Sequence, residues 1–135
     1  MVSSNDKALA VLIAARNEAD VIAQTIGSLR ESFPGATLWV ADDGSDDGTA
    51  DVAMAAGAKV VRRGKPHGKG GNMTACAEAM LSDPDLPELV LLCDGDLAGS
   101  AGKLGPLVEA VASGDSDLAV AMFAKRVGGG FGFAL

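Results

Sequence analysis

The run ALAVLIAA, Ala8 to Ala15, has no polar side chain to turn toward water, so a strand formed there must be covered on both faces. Such a strand sits inside a parallel sheet, and parallel neighbours need crossovers too long for hairpins. The chain supplies them. Ile22, Ile26, Leu29 and Phe33 recur at helical spacing before Pro34-Gly35 ends the helix. A strand from Thr37 to Ala41 stops at the turn-forming cluster DDGSDDG, and a helix over about Thr49 to Ala56 closes at Gly57. Lys59 to Arg62 reads as a short strand, residues 63–72 (RGKPHGKGGN) as a glycine-rich basic loop, and Met73 to Leu81 as a helix. Leu89 to Cys93 reads as a buried strand, Leu104 to Ala112 as a helix, and Leu118 to Ala124 (LAVAMFA) as a last strand. This alternation predicts one α/β domain over residues 1–135, a mostly parallel sheet flanked by helices through right-handed crossovers.

Ligands of such sheets sit at the carboxyl ends of the strands, near the point where strand order reverses. Arg16-Asn17-Glu18, Asp42-Asp43-Gly44-Ser45, Gly68-Lys69-Gly70 and Asp94-Gly95-Asp96 all follow a predicted strand or open a helix, so they are expected to share one cleft. The net charge of -7 argues against nucleic acid as the ligand, because phosphate backbones are held by clustered Lys and Arg. No apolar run reaches the roughly 20 residues of a membrane span, and the N-terminus lacks the pattern of a signal peptide. The expected location is the cytoplasm, with the inner face of the membrane as a site for a longer form. Cys76 and Cys93 form no CxxC and are expected to be reduced, buried thiols.

Asp94 and Asp96 lie two apart at a strand end, where the strand period turns both to one side. At ~5 Å and an effective dielectric of about 20 their repulsion is on the order of 3 kcal/mol, which a cation between them relieves. Oxygen ligands with room left over suit Mg²⁺ or Mn²⁺ shared with substrate phosphates. In GKGGN, Gly68 to Asn72, the glycines let backbone approach a ligand and Lys69 offers a charge for phosphate. The spacing is not that of a Walker A loop. Arg62, Arg63 and Lys65 add positive charge just upstream. Among the acidic residues after the second strand, Asp46, Asp47 and Asp51 suit turn formation and capping, an EF-hand pattern fails, and Asp43 is placed to accept a hydrogen bond from a nucleobase ring N–H. Trp39, Met73 and Met80 read as packing residues and His67 as an exposed loop residue.

AARNEADVIAQTIGSL, VADDGSDDGTADVA, GKGGN and LLCDGDL, in this order, resemble the N-terminal half of family 2 glycosyltransferases with the Rossmann-like GT-A fold, closest to bacterial members near glucosyl-3-phosphoglycerate synthases and polyprenyl-phosphate sugar transferases. The resemblance implies inverting transfer of a sugar from a UDP-sugar or GDP-sugar, with Mg²⁺ or Mn²⁺, to an acceptor such as a polyprenyl phosphate or a small acid. It implies donor binding by Ala14, Ala15, Arg16, Asn17, Glu18, Asp43, Gly68, Lys69, Asp94 and Gly95, and metal binding by Asp94 and Asp96. Ala14 stands where many members have proline, and Arg16 where many have a base-stacking aromatic residue, so the base stays open. The resemblance also implies a general base and an acceptor-binding region beyond Leu135. The chain is therefore expected to be a C-terminally truncated domain whose uncovered sheet favours a homo-oligomer. A non-catalytic nucleotide-sugar-binding remnant and, further off, a nucleotidyltransferase are the alternatives.

Overall fold

The computed structural model describes residues 7–66 and 68–121, so His67, the end of the predicted last strand and the glycine-rich tail lie outside the described residues. The elements run β1 (Leu9–Ala15), α1 (Ile22–Ser32), β2 (Thr37–Asp43), α2 (Thr49–Ala55), β3 (Lys59–Arg63), α3 (Lys69–Leu81), β4 (Leu89–Asp94), a 3-10 segment (Ala98–Lys103) and α4 (Gly105–Ala112). The four strands pair in parallel in the order β3-β2-β1-β4.

The covered first strand explains the architecture. Alternate residues of β1 enter two separate cores: Leu9, Val11, Ile13 and Ala15 pack with Ile22, Ile26 and Leu29 of α1 and Ala53 of α2. Ala10 and Leu12 pack with Trp39, Cys76 and Met80 on the other face. The chain steps from β1 to β2 to β3 in one direction with α1 and α2 on one face. It then returns across β1 to β4, and a right-handed crossover in that reversed direction must run on the opposite face, which is where α3 lies. Val11, Ile13, Ile22, Leu29 and Val40 are 0% exposed, so trimming one of them to alanine is expected to cost about 2–5 kcal/mol. Trp39 is buried in the second core, with the Lys59 ammonium 5.0 Å from its ring centroid, as its expected packing role requires.

Three expectations need correction. The basic loop is shorter than read, because α3 begins at Lys69 and takes in Gly70 and Gly71. Their poor helix propensity is overridden by Asn72, which is 1% exposed and donates from Nδ2 to the Ala41 carbonyl at 2.7 Å, pinning the first turn to β2. β4 is covered on one face only, since Leu91 is buried whereas Val90 and Leu92 are 48% and 63% exposed. Leu118 to Ala121, the described part of the predicted last strand, forms no strand, because it makes no ladder with β4 and only lines a groove beside it.

Candidate functional site

Strand order reverses at β1, so the crevice beyond Ala15 is flanked by β2 on one side and β4 on the other. The register sets the positions: Ala15 lies opposite Asp42, and Ala14 lies opposite Asp94. The four polar clusters expected to share a cleft all fall on this edge of the sheet.

On the β2 side, two hydroxyls tie the segment after β1 to the loop after β2. Ser45 Oγ donates to Asp42 Oδ1 and accepts the Asn17 N–H at 2.8 Å. Thr49 Oγ1 donates to Asp47 Oδ1 and accepts the Glu18 N–H at 2.9 Å. Asp47 Oδ2 takes the Ala19 N–H at 3.1 Å, and Asn17 Oδ1 takes the Asp46 N–H at 3.0 Å. Each Asp thus orients a hydroxyl that orients a backbone amide, and together they hold Asn17 in a left-handed conformation, φ 53°. These bonds, that of the Thr49 hydroxyl foremost, hold the Asp47 carboxyl below the usual carboxylate range. Asp42 is fully buried; its second oxygen makes no hydrogen bond and lies 3.7 Å from Arg62 Nε. Gly44 has φ +72°, and a Cβ there would stand 2.8 Å from the Pro66 nitrogen, so no other residue fits the turn.

Asp43 ends β2 nearly buried, and its Oδ2 accepts the Gly68 N–H at 3.0 Å, joining β2 to the start of α3. Asn72, one turn into α3, keeps a buried Oδ1 without a hydrogen bond.

On the β4 side the DGD turn is clamped from behind by a helix residue. Thr25 of α1, fully buried, donates from Oγ1 to the Gly95 carbonyl at 2.7 Å and accepts the Ala98 N–H at 2.9 Å. Gly95 N–H donates to the Ala14 carbonyl at 2.8 Å, and a Cβ on Gly95 would lie 3.1 Å from that same oxygen and from Ile22 Cδ1. The turn therefore rests directly on the end of β1. Asp94 is the last strand residue, whereas Asp96 belongs to the turn, so strand period does not orient the pair.

Lys69, the first residue of α3, places its ammonium on Asp94 Oδ1, and the two side chains are 63% and 49% exposed. An ion pair this exposed contributes about 0–1 kcal/mol, so its partners exchange readily. Glu18 faces this region from the other bank: burial, then the charges of Asp96, Asp47 and Asp94, hold its carboxyl above the ordinary range. Negative potential is concentrated here, and the Lys69 ammonium offsets part of it. Two or three carboxylates make too few ligands to cage an ion alone, and among the described residues no group of three or more potential ligands is already arranged to do so. That donor set fits Mg²⁺ or Mn²⁺, which complete their sphere with water and phosphate oxygens.

Of the residues singled out in the sequence, Arg16 and Asn17 are exposed at the mouth, and Glu18, Lys69, Asp94 and Asp96 gather around one point. The side chain of Ala15 packs in the core, that of Ala14 is half-buried, and Gly68 and Gly95 have their N–H groups bonded within the protein. Thr25, Thr49 and Asn72 were missed. Thr25 occupies a position in the helical stripe Ile22, Thr25, Ile26, Leu29, all buried, where a polar residue was itself the signal. Cys76 and Cys93 are free, and burial pushes their thiols up to about 11 and about 12, which makes both inert. Cys93 is only half-buried, contrary to the expected full burial.

The fold and this mouth define a doubly wound α/β domain with an acidic, lysine-neutralised crevice at its switch point. Residues 10–135 match the sequence profile described as Glycosyl transferase family 2, and the chain belongs to that family. It is 32% identical over 112 residues to Protein RfbJ of Shigella flexneri, covering 83% of this chain and 82% of that one. Among solved structures it is similar to glucosyl-3-phosphoglycerate synthase from Mycobacterium tuberculosis, in complex with Mn²⁺, UDP and glucosyl-3-phosphoglycerate, at 27% identity and a TM-score of 0.63 over 79% of this chain. It is also similar to mannosyl-3-phosphoglycerate synthase from Rubrobacter xylanophilus, at 30% identity and a TM-score of 0.55 over 67% of this chain. The chain spans 40% and 31% of those two proteins. The parallel sheet and its flanking helices are thus the Rossmann-like part of the GT-A fold. Among the described residues, no helix is long and apolar enough to cross a membrane.

Proposed function

We propose that this chain is the donor-binding part of an inverting sugar transferase that takes a nucleotide-diphospho-sugar together with Mg²⁺ or Mn²⁺. The observation that carries the reading is the placement of the Lys69 ammonium on Asp94, beside Asp96 and Glu18, at the crevice between β1 and β4. A diphosphate laid there meets Lys69 from α3, while Asp94 and Asp96 hold the metal from β4 and its turn. The metal, when bound, neutralises charge growing on the departing diphosphate. Lys69 shares that role through a charge that needs no rearrangement of the backbone. Asp43, Arg16 and Asn17 stand farther along the edge, on the β2 side, where the base is held. Asp43, whose Oδ2 accepts the Gly68 N–H, is the carboxylate at this end of β2 proposed to meet a ring N–H.

UDP is the favoured donor nucleotide, and a small phosphorylated acid the favoured acceptor, on the similarity to the mycobacterial synthase solved with UDP and glucosyl-3-phosphoglycerate. A longer form would meet its acceptor from the cytoplasmic side. The roles proposed for Lys69, Asp94, Asp96 and Asp43 cover the donor half of the chemistry.

Calorimetric titration of UDP and of GDP into the purified chain, with and without Mn²⁺, tests the reading. Binding that requires Mn²⁺, is stronger for UDP, and disappears in an Asp94→Ala, Asp96→Ala double variant is expected. Equal binding by the double variant contradicts it. Sugar transfer to phosphoglycerate, measured on the same preparation, separates a working transferase from a binding remnant.

A further inference from the structure

We propose that Lys69 is a displaceable counter-ion: its ammonium occupies Asp94 in place of the divalent cation and moves to the diphosphate when nucleotide binds. The inference rests on the donor-site reading above. It starts from three observations. Lys69 Nζ is on Oδ1 of Asp94, a carboxylate the metal must use, so ammonium and metal compete for one oxygen. The two side chains are 63% and 49% exposed, so neither is locked in place by packing. Lys69 is the first residue of α3, whose N-terminal turn is anchored through Asn72 and Gly68 and not through Lys69 itself, so the side chain can swing while its helix stays fixed.

The rest of the mouth makes the exchange favourable. With the ammonium gone, Asp94, Asp96 and Glu18 are left with uncompensated mutual repulsion that a divalent ion relieves better than a single charge. A diphosphate in turn offers the ammonium more negative charge than Asp94 does. Metal without nucleotide must evict Lys69 with nothing to receive it, whereas metal with nucleotide need not. Linkage then requires that each ligand strengthen the other by one shared factor. The domain in this way disfavours metal held without its donor.

The test measures free Mn²⁺ by electron paramagnetic resonance during titration of the nucleotide-free chain, for the wild type, Lys69→Ala and Lys65→Ala. Lys65 is an exposed lysine of the preceding loop, and its removal subtracts the same charge. Lys69→Ala is expected to bind Mn²⁺ about three- to fivefold more tightly than the wild type, the upper end for an exposed ion pair, with Lys65→Ala changing affinity less than twofold. Saturating UDP should then tighten Mn²⁺ less in Lys69→Ala than in the wild type. Unchanged or weaker Mn²⁺ binding in Lys69→Ala overturns the proposal, as does an equal gain in Lys65→Ala, which would mark a general charge effect. If Lys69→Ala tightens Mn²⁺ but UDP binds none of the proteins, the competition at Asp94 stands, and the donor reading falls together with the move of the ammonium to a diphosphate.

Discussion

Beyond the end of β1, the side toward β2 commits its carboxylates and hydroxyls to the protein itself, whereas the side toward β4 leaves Asp96 exposed and Asp94 half in solvent. Asp42, Ser45, Asp47 and Thr49 form two relays that end on the backbone of Asn17 and Glu18. Asp94 ends on a flexible lysine. The β2 side has the properties of a fixed floor, with its two hydroxyl relays complete before any ligand arrives. The β4 side has the properties of an ion site, acidic and held in shape from behind by Thr25 and Gly95. Preorganisation on one side and incomplete neutralisation on the other divide positioning from charge handling within one crevice.

The comparison can be broken most severely from behind the β4 side. Thr25→Val keeps the shape of the side chain but strands the Gly95 carbonyl and the Ala98 N–H. Urea denaturation should show a loss of about 2–4 kcal/mol, and Mn²⁺ binding should weaken although Thr25 touches no ligand. Next comes Ser45→Ala, which leaves the Asn17 N–H without its partner and the buried Asp42 Oδ1 with only the long Ser45 N–H bond of 3.4 Å. About 1–3 kcal/mol should be lost, with nucleotide affinity reduced and nucleotide-free Mn²⁺ binding unchanged. An equal effect of both variants on Mn²⁺ would erase the division. Asp94→Asn is expected to be smallest in stability, within about 0.5 kcal/mol of the wild type, and largest in ligand binding.

Titration sharpens the same contrast, with opposite signs for Asp47 within the β2-side relay and for the Glu18 carboxyl, which faces Asp94 and Asp96. The Asp47 carboxyl lies below its unfolded value, so the stability it contributes is present above about pH 4 and is lost as pH falls through its folded value. The Glu18 carboxyl lies above its unfolded value, so its contribution is fully present below about pH 4 and is lost as pH rises through its folded value. Carboxyl chemical shifts followed by NMR should show Asp47 titrating before Glu18 as the scale is climbed from acid. Adding Mn²⁺ should lower the Glu18 midpoint and leave Asp47 where it was.

Much of this was legible in the sequence because the strongest signals are repeated. The apolar run at Ala8 to Ala15, the helical stripe of α1 and the polar clusters at strand ends place the sheet and its working edge without any tertiary information. What escaped depends on single tertiary contacts. The start of α3 is set by one Asn72 bond to β2 against the propensity of two glycines. The spacing DDGSDDGT reads as turn chemistry, and its relays exist only because the segment after β1 lies alongside. Thr25 is invisible as a clamp until the DGD turn is seen to pass behind α1. The run LVLLC looks buried on both faces by composition, and only the position of β4, outside the cover of α3, leaves Val90 and Leu92 in solvent.

The central claim is that the cation site lies at Asp94 and Asp96, at the mouth of β1 and β4. Paramagnetic broadening of backbone amide signals by Mn²⁺, in the presence of UDP, reports its position directly. The account predicts that the signals of Asp94 to Ala98, Glu18 and Lys69 vanish first, while those of Lys59 and Asp83, an ion pair 2.7 Å long at the start of β3 and past the end of α3, keep their width. Broadening centred on Asp42 to Asp47, with Asp94 to Ala98 intact, would contradict it.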